Sequence, residues 1–315
     1  MENIKFDYVI YHRGCFDGFT SFMSLLLAKK ITKNAIVFPD VPFAKYAPRE
    51  IEGKNVISMD VAYNPKIVEE ISKKAKVFYF IDHHVTIFDS IKKLKLPAPH
   101  KIIYDVKKSG AGITWDYFNP TKARPLIIDL IEDHDIGRWE DNRSKPLNAY
   151  LEVNHYTIHN KEHINKWKVL FNDKKLLQSI KIGVNYMKYK NSMIDRYSGY
   201  HDHVVFTKSI LDKLNIPPVN IALFNLSGPL VSLLGKHMMT KHKNTYDFIA
   251  FYSYDFSKKA MFFSLRSNGY DVGKIASNFN GGGHKYASGF SYNGSVSDLF
   301  EKILFKDTQQ SILRL

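Results

Sequence analysis

Five consecutive apolar and aromatic residues, Val77-Phe78-Tyr79-Phe80-Ile81, run directly into Asp82-His83-His84. A run without alternation suits a strand covered on both faces, as in the interior of a parallel sheet. Its polar trio then falls at the carboxyl end of the strand, where open α/β sheets place their sites. A carboxylate beside two imidazoles offers oxygen and nitrogen donors for a divalent metal. Taken alone, the triplet reads more simply as a solvated loop tip, so the other strand ends have to decide.

Phe6 to Tyr11 suits a first buried strand and leads into His12-Arg13-Gly14-Cys15-Phe16-Asp17-Gly18. Helical apolar spacing follows from Phe19 to Ile31. The two glycines let the chain bend tightly between strand and helix; a plain turn with a capping Asp is the simpler alternative. Ala35 to Phe38 suits a second strand, Asn55 to Met59 a third that ends at Asp60, and Pro65 opens a helix to Lys76. Three strand ends thus carry His12 with Asp17, then Asp60, then Asp82-His83-His84. Random surface carboxylates have no reason to track strand ends in this way.

Ile102 to Asp105 is a short strand candidate, and Ser109-Gly110-Ala111-Gly112 opens the next helix with Ser109 as N-cap. Pro125 starts a helix over Leu126 to Ile131 that runs into Glu132-Asp133-His134-Asp135 and on to Trp139. Such an ionisable run ordinarily faces solvent; here it supplies the further carboxylate that a two-metal cluster needs. Glu162 to Tyr197 is lysine-rich with helical apolar spacing and reads as helices leading to a second domain. That domain has strands at Val219–Phe224, Asp247–Ser253, Ala260–Arg266 and Ala287–Ser291, and helices at Pro229–Met239, Val272–Phe279 and Val296–Leu304. Gly281-Gly282-Gly283 reads as a loop after a helix. Trp115, Trp139 and Trp167 are expected in cores or interfaces, and His155, His159, His201 and His203 at the surface.

The length of 315 residues favours two domains. With 44% hydrophobic and 24% charged residues the chain is ordinary globular material rather than a disordered tail. A net charge of +14 points to a polyanionic partner such as nucleic acid, a nucleotide or polyphosphate. The single cysteine, Cys15, excludes an intrachain disulfide and suits a reducing compartment. The first residues lack the layout of a secretion signal, and no apolar run approaches membrane-spanning length. The expectation is a cytoplasmic protein with no membrane partner.

Taken together and in order, these motifs resemble those of the DHH phosphoesterases that carry a C-terminal DHHA1 domain. The matching segments are His12 to Gly18, Val56 to Asp60, Asp82-His83-His84, Ser109 to Gly112, Asp133-His134-Asp135, and Ser264-Leu265-Arg266-Ser267 with Gly281-Gly282-Gly283-His284. The first motif is similar to that of a subgroup with His-x-x-Cys-x-Asp-Gly. The resemblance implies an α/β fold with a parallel-sheet DHH domain over residues 1–160, a helical linker over 161–200 and a smaller α/β DHHA1 domain over 201–315, with the active site in the interdomain cleft. It implies a phosphoesterase that uses two divalent ions, Mn²⁺ before Co²⁺ or Mg²⁺, to activate water against phosphodiester or phosphomonoester bonds. The substrates would be short single-stranded oligonucleotides or nucleotides, and a homodimer is compatible with it. By the same resemblance His12 and Asp60 hold the first metal, and Asp17, Asp60, His83 and Asp133 the second. Asp82 orients the cluster, His84 faces the scissile phosphate, and Arg266, Gly281, Gly282, Gly283 and His284 contact substrate. Cys15 departs from the pattern, standing where most relatives have Asp. A thiolate there would favour softer metals, while a thiol would merely sit beside the site. The alternative among enzymes is exopolyphosphatase or pyrophosphatase-type hydrolysis; outside them it is a catalytically weak nucleic-acid-binding protein.

Overall fold

In the computed structural model, which describes residues 4–42, 44–154, 161–298 and 303–306, the chain forms two compact units, Met1–Lys188 and Tyr189–Leu315. The first runs β1 (Phe6–His12), α1 (Phe16–Leu27), β2 (Ile31–Asp40), β3 (Asn55–Met59), α2 (Pro65–Lys74), β4 (Val77–Asp82), α3 (Val85–Ile91) and β5 (Lys101–Tyr104). It continues with α4 (Gly110–Phe118), α5 (Leu126–Asp135), α6 (Ser144–Val153), α7 (Lys161–Leu170) and α8 (Asp173–Tyr197), the last crossing into the second unit.

The five strands form one parallel sheet in the order β2-β1-β3-β4-β5. Alternate residues of a strand face opposite sides, and both sides are covered. Val9, Tyr11, Tyr79 and Ile81 pack with α1, α4 and α5, while Tyr8, Ile10, Phe78 and Phe80 pack with α2 and α3. Every residue of β4 is buried, which is why its sequence shows no alternation. From β1 the sheet extends one way to β2 and the other way to β3, so the strand order reverses there. Such a reversal opens a crevice at the carboxyl ends of the strands.

Several elements differ from the sequence expectations. The first helix begins at Phe16 rather than Phe19, which places Asp17 in its first turn, and Ile31 already starts β2. The helix α5 extends through the ionisable run, and Glu132 and Asp133 are buried inside it rather than facing solvent. Residues 161–188, expected to belong to the linker, are part of the first unit. Trp167, Leu170, Leu176 and Ile180 sit in its core. At Gly183 a Cβ would lie 1.9 Å from the carbonyl oxygen of Pro146, so only glycine lets α8 approach α6 this closely.

The second unit contains β6 (Asp202–Phe206), α9 (Lys208–Leu214), β7 (Asn220–Asn225), α10 (Val231–Lys241), β8 (Phe248–Asp255), β9 (Ala260–Ser267), α11 (Val272–Asn278), β10 (Gly282–His284), β11 (Ala287–Tyr292), α12 (Val296–Asp298) and β12 (Leu304–Lys306). Its sheet has the order β10-β11-β9-β8-β7-β6-β12, and β7 with β8 is its parallel pair. The helix expected to end at Leu304 is replaced there by β12, which pairs with β6; residues 299–302 lie outside the described residues. The glycine run is not a loop throughout, because β10 pairs antiparallel with β11. A Cβ on Gly281 would meet the carbonyl oxygen of Gly289 at 2.2 Å, and Gly283 has φ +136°. Both conditions demand glycine.

Candidate metal centre

His12 ends β1, and a turn through Gly14 at φ +75° brings the chain into α1 with Asp17 in its first turn. Asp60 follows β3 in a left-handed conformation at φ +65°, and Ala62 is left-handed too, at φ +55°. Such conformations cost free energy in non-glycine residues and persist where the surroundings over-determine them. Here the Asp60 amide donates to Ile81 O at 3.0 Å and the Ala62 amide to Oδ2 of Asp82 at 2.7 Å. As a result Asp60, almost fully buried, reaches two imidazoles. Its Oδ2 lies 3.3 Å from His12 Nδ1 and its Oδ1 3.0 Å from His83 Nε2.

Asp82 is spent on the backbone and on His84. Its Oδ1 accepts from the amides of His83 and His84 at 2.7 and 2.9 Å and meets His84 Nδ1 at 2.8 Å. In a neutral His84 ring this bond puts the proton on Nδ1 and the lone pair on Nε2. Asp17 accepts from the amides of Gly110 and Ala111 at 2.7 and 2.9 Å, at the N-terminus of α4. Ser109 caps that helix as expected, accepting from Gly112 N. A Cβ on Gly110 would lie 2.8 Å from Cβ of Asp60 and 2.9 Å from Oδ2 of Asp17, so this helix start has to be glycine.

Asp133, expected among the ligands, turns away. Its carboxylate accepts from the amide of Glu140 at 2.9 Å and from the hydroxyl of Ser144. The carboxylate beside the cluster is Asp135, with Oδ2 3.4 Å from His83 Nε2. The sequence motif contained both residues, but the direction of each depends on how α5 rotates at its end.

The side chains fall into three donor groups: His12 with Cys15 and Asp60, Asp60 with His83 and His84, and Asp17 with His83 and Asp135. Asp60 joins the first two and His83 the last two. Burial, then Asp60 and Asp135, push the Asp17 carboxyl well above its usual range. Burial and Asp60 raise Asp135 to about 6. Asp60 itself is held below the usual range, because His12 and His83 outweigh its burial. Burial alone would lower His83, but Asp60, Asp17 and Asp135 lift it to about 10. Burial and the same three carboxylates push the Cys15 thiol up, which keeps it a thiol unless a cation intervenes. Three carboxylates are thus crowded into a site whose imidazoles balance them only in part. Divalent cations on a mixed oxygen and nitrogen donor set fit that charge deficit.

In the second unit Arg266 donates to Ser232 Oγ at 3.1 Å and to Leu265 O at 2.8 Å, with its stem against Gly235. Gly281, Gly282 and Gly283 pack along β11 as described above; the His284 side chain lies outside the described residues, as do His155 and His159. His201 is not a plain surface residue. It is partly buried against Phe224 and bonded to Tyr246 Oη at 2.7 Å. Trp115 and Trp167 are buried as expected, whereas Trp139 is 45% exposed.

Residues 232–309 match the DHHA1 domain family. An uncharacterized protein, R106, of Acanthamoeba polyphaga mimivirus is 28% identical over 312 residues, covering 94% of this chain and 70% of its own length. Among solved structures, the pGpG-specific phosphodiesterase PggH from Vibrio cholerae has a TM-score of 0.53 at 14% identity, covering 93% of this chain and 95% of that one. RecJ from Thermus thermophilus has a TM-score of 0.41 at 10% identity, covering 93% of this chain and 50% of that one. The PggH likeness shows the shared fold. The Asp82-His83-His84 triplet divides its labour, Asp82 holding the backbone and His84 while His83 meets Asp60. Among the described residues no helix is long and apolar enough to cross a membrane.

Proposed function

We propose that this chain is a metal-dependent phosphoesterase acting on short single-stranded oligonucleotides or nucleotides. The observation that carries the proposal is the linked donor groups, joined through Asp60 and His83, at the carboxyl ends of β1, β3 and β4. The net charge of +14 favours a polyanionic substrate. The relative PggH, a phosphodiesterase specific for a dinucleotide, supports a short one.

Two divalent ions, Mn²⁺ first, would supply the charge that acidifies a water and offsets the phosphoryl oxygens. His12, Cys15 and Asp60 would hold one, and Asp17, Asp60, His83 and Asp135 the other, with Asp135 in the place expected for Asp133. Asp82 keeps His84 oriented. Burial lowers the His84 pKa, but Asp82 outweighs it and the net shift is upward. His84 therefore retains its proton more readily than a free imidazole and serves as a donor to a phosphoryl or leaving oxygen. Arg266 and the glycine-rich β10 segment would bind substrate phosphate, because an Arg fork and exposed backbone amides both suit anions. The single cysteine suits a reducing compartment such as the cytoplasm.

The test is hydrolysis by purified protein, with Mn²⁺ and with EDTA. The panel holds a labelled dinucleotide, longer single-stranded RNA and DNA, a cyclic dinucleotide and polyphosphate, with Asp60→Ala alongside. Metal-dependent release of mononucleotides, lost in the variant, is the expected result. Phosphate release from polyphosphate alone would transfer the assignment to exopolyphosphatase chemistry. No cleavage with Mn²⁺, Co²⁺ or Zn²⁺ would overturn catalysis in favour of binding.

A further inference from the structure

We propose that Glu132 is a positioning residue that fixes Asp17 through the N-terminus of α4. The inference rests on the metal centre proposed above and concerns a side chain that touches none of its three donor groups.

A helix start leaves four amides without intrahelical partners. In α4 two carboxylates from different helices divide three of them. The Ser109 amide donates to Oε2 of Glu132 at 3.0 Å, and the Gly110 and Ala111 amides donate to Asp17. The fourth, Gly112 N, is taken by the Ser109 hydroxyl at 3.2 Å. Glu132 lies so close to the helix that a Cβ on Gly112 would stand 2.0 Å from its Oε2.

The Glu132 carboxylate is itself anchored. Its Oε1 accepts from Arg124 Nη1 at 3.0 Å and from Arg138 Nη2 at 2.9 Å. Arg124 also forks onto Asp116 of α4, with Nε and Nη2 at 2.7 and 2.6 Å. The clamp thus closes on α4 at both ends, through Ser109 and through Asp116. Asp17 commits both oxygens to α4 amides, so the position of its Oδ2, 3.8 Å from His83 Nε2, follows the position of that helix start. A metal site tolerates ligand displacements of only about 0.2 Å. Loss of a partner that orients a ligating group commonly weakens metal binding by about 10- to 100-fold.

The test compares Glu132→Gln with Asp116→Asn. The second loosens Arg124 from α4 but leaves the Ser109 bond in place. Two readouts are taken: hydrogen exchange of the Gly110 and Ala111 amides in metal-free protein, and Mn²⁺ affinity by titration. Glu132→Gln is expected to accelerate exchange at both amides and to weaken Mn²⁺ roughly tenfold, while Asp116→Asn lowers thermal stability and leaves Mn²⁺ affinity unchanged. Unchanged exchange in Glu132→Gln overturns the proposal. So does an equal loss of affinity in Asp116→Asn, which would make Glu132 one more general support of the fold. If Glu132→Gln does not fold, Arg138→Gln removes one of the two guanidiniums at a half-exposed position and carries the same comparison. A wild-type protein that binds no Mn²⁺ would defeat the metal centre, and amide exchange would still decide the clamp.

Discussion

Oδ2 of Asp135 lies 3.4 Å from Nε2 of His83. Two residues earlier on the same helix, Asp133 is occupied by Glu140 N and Ser144 Oγ. The two carboxylates therefore separate by experiment. Asp135→Asn should weaken Mn²⁺ binding at least tenfold, by about the factor that a ligand or its partner commands, and leave stability nearly unchanged. Asp133→Ala should cost about 1–3 kcal/mol of stability, because the Glu140 amide and the Ser144 hydroxyl lose the carboxylate that accepts from both. Denaturant melts and metal titration of both variants check this; the reverse pattern would return Asp133 to the metal.

Gly110→Ala places a methyl group between Asp60 and Asp17, at 2.8 and 2.9 Å from their nearest atoms. Alanine is otherwise the best helix former, so helix propensity alone would make this change stabilising. The expected outcome is loss of metal binding together with about 1–3 kcal/mol of stability, the usual cost of overpacking. A variant with raised stability and full metal affinity would contradict the packing of α4 against the centre.

The metal-free protein should lose stability as pH rises from 6.5 toward 10. Unfolded, His83 gives up its proton near 6.5; folded, it keeps it to about 10. Its contribution is complete below the first value and gone above the second. Asp17, raised well above its ordinary range by burial, acts in the same direction; Asp135 does so too, but its contribution is lost between its ordinary 3.8 and about 6, below this window. Asp60, held low, loses its contribution only as pH falls below its ordinary 3.8, outside this window. Bound Mn²⁺ replaces those protons, so its affinity should climb with pH across the same range. Urea melts in EDTA across the window check the first statement, and a flat profile would refute it.

Of the three tryptophans, Trp115 and Trp167 are buried and Trp139 is 45% exposed. Acrylamide should therefore quench one component of the native fluorescence, and Trp139→Phe should remove it. Trp139 also has φ +53°, a conformation unusual for a bulky side chain. Trp139→Gly should therefore relieve backbone strain of about 1 kcal/mol or more, visible as a melt no worse than that of Trp139→Phe.

Much of the first unit was legible because its signals are local. Five apolar and aromatic residues without alternation suit an interior strand, and β4 covers all five and ends at Asp82. Ser109 and Pro65 mark helix starts, one through a bond to an amide and the other through a fixed φ, both within one turn. The ends of β1, β3 and β4 could therefore be located, and His12, Asp60, Asp82, His83 and His84 with them. The end of the chain was less legible: Leu304 joins β12 because it pairs with β6, a distant partner in the chain that no local pattern announces.

Sequence alone thus determined the five strands of the first sheet and which chemical groups stand at the ends of β1, β3 and β4, since burial period and capping act within a few residues. Only the tertiary structure decided which carboxylate lies beside His83. Asp133 and Asp135 are chemically alike, and the choice between them is made by the rotation of α5, by the Ser144 hydroxyl of the next helix and by the imidazole of His83 from the end of β4. The role of Glu132 was decided in the same way. Its partners Ser109, Arg124 and Arg138 come together only when α4 and α5 pack.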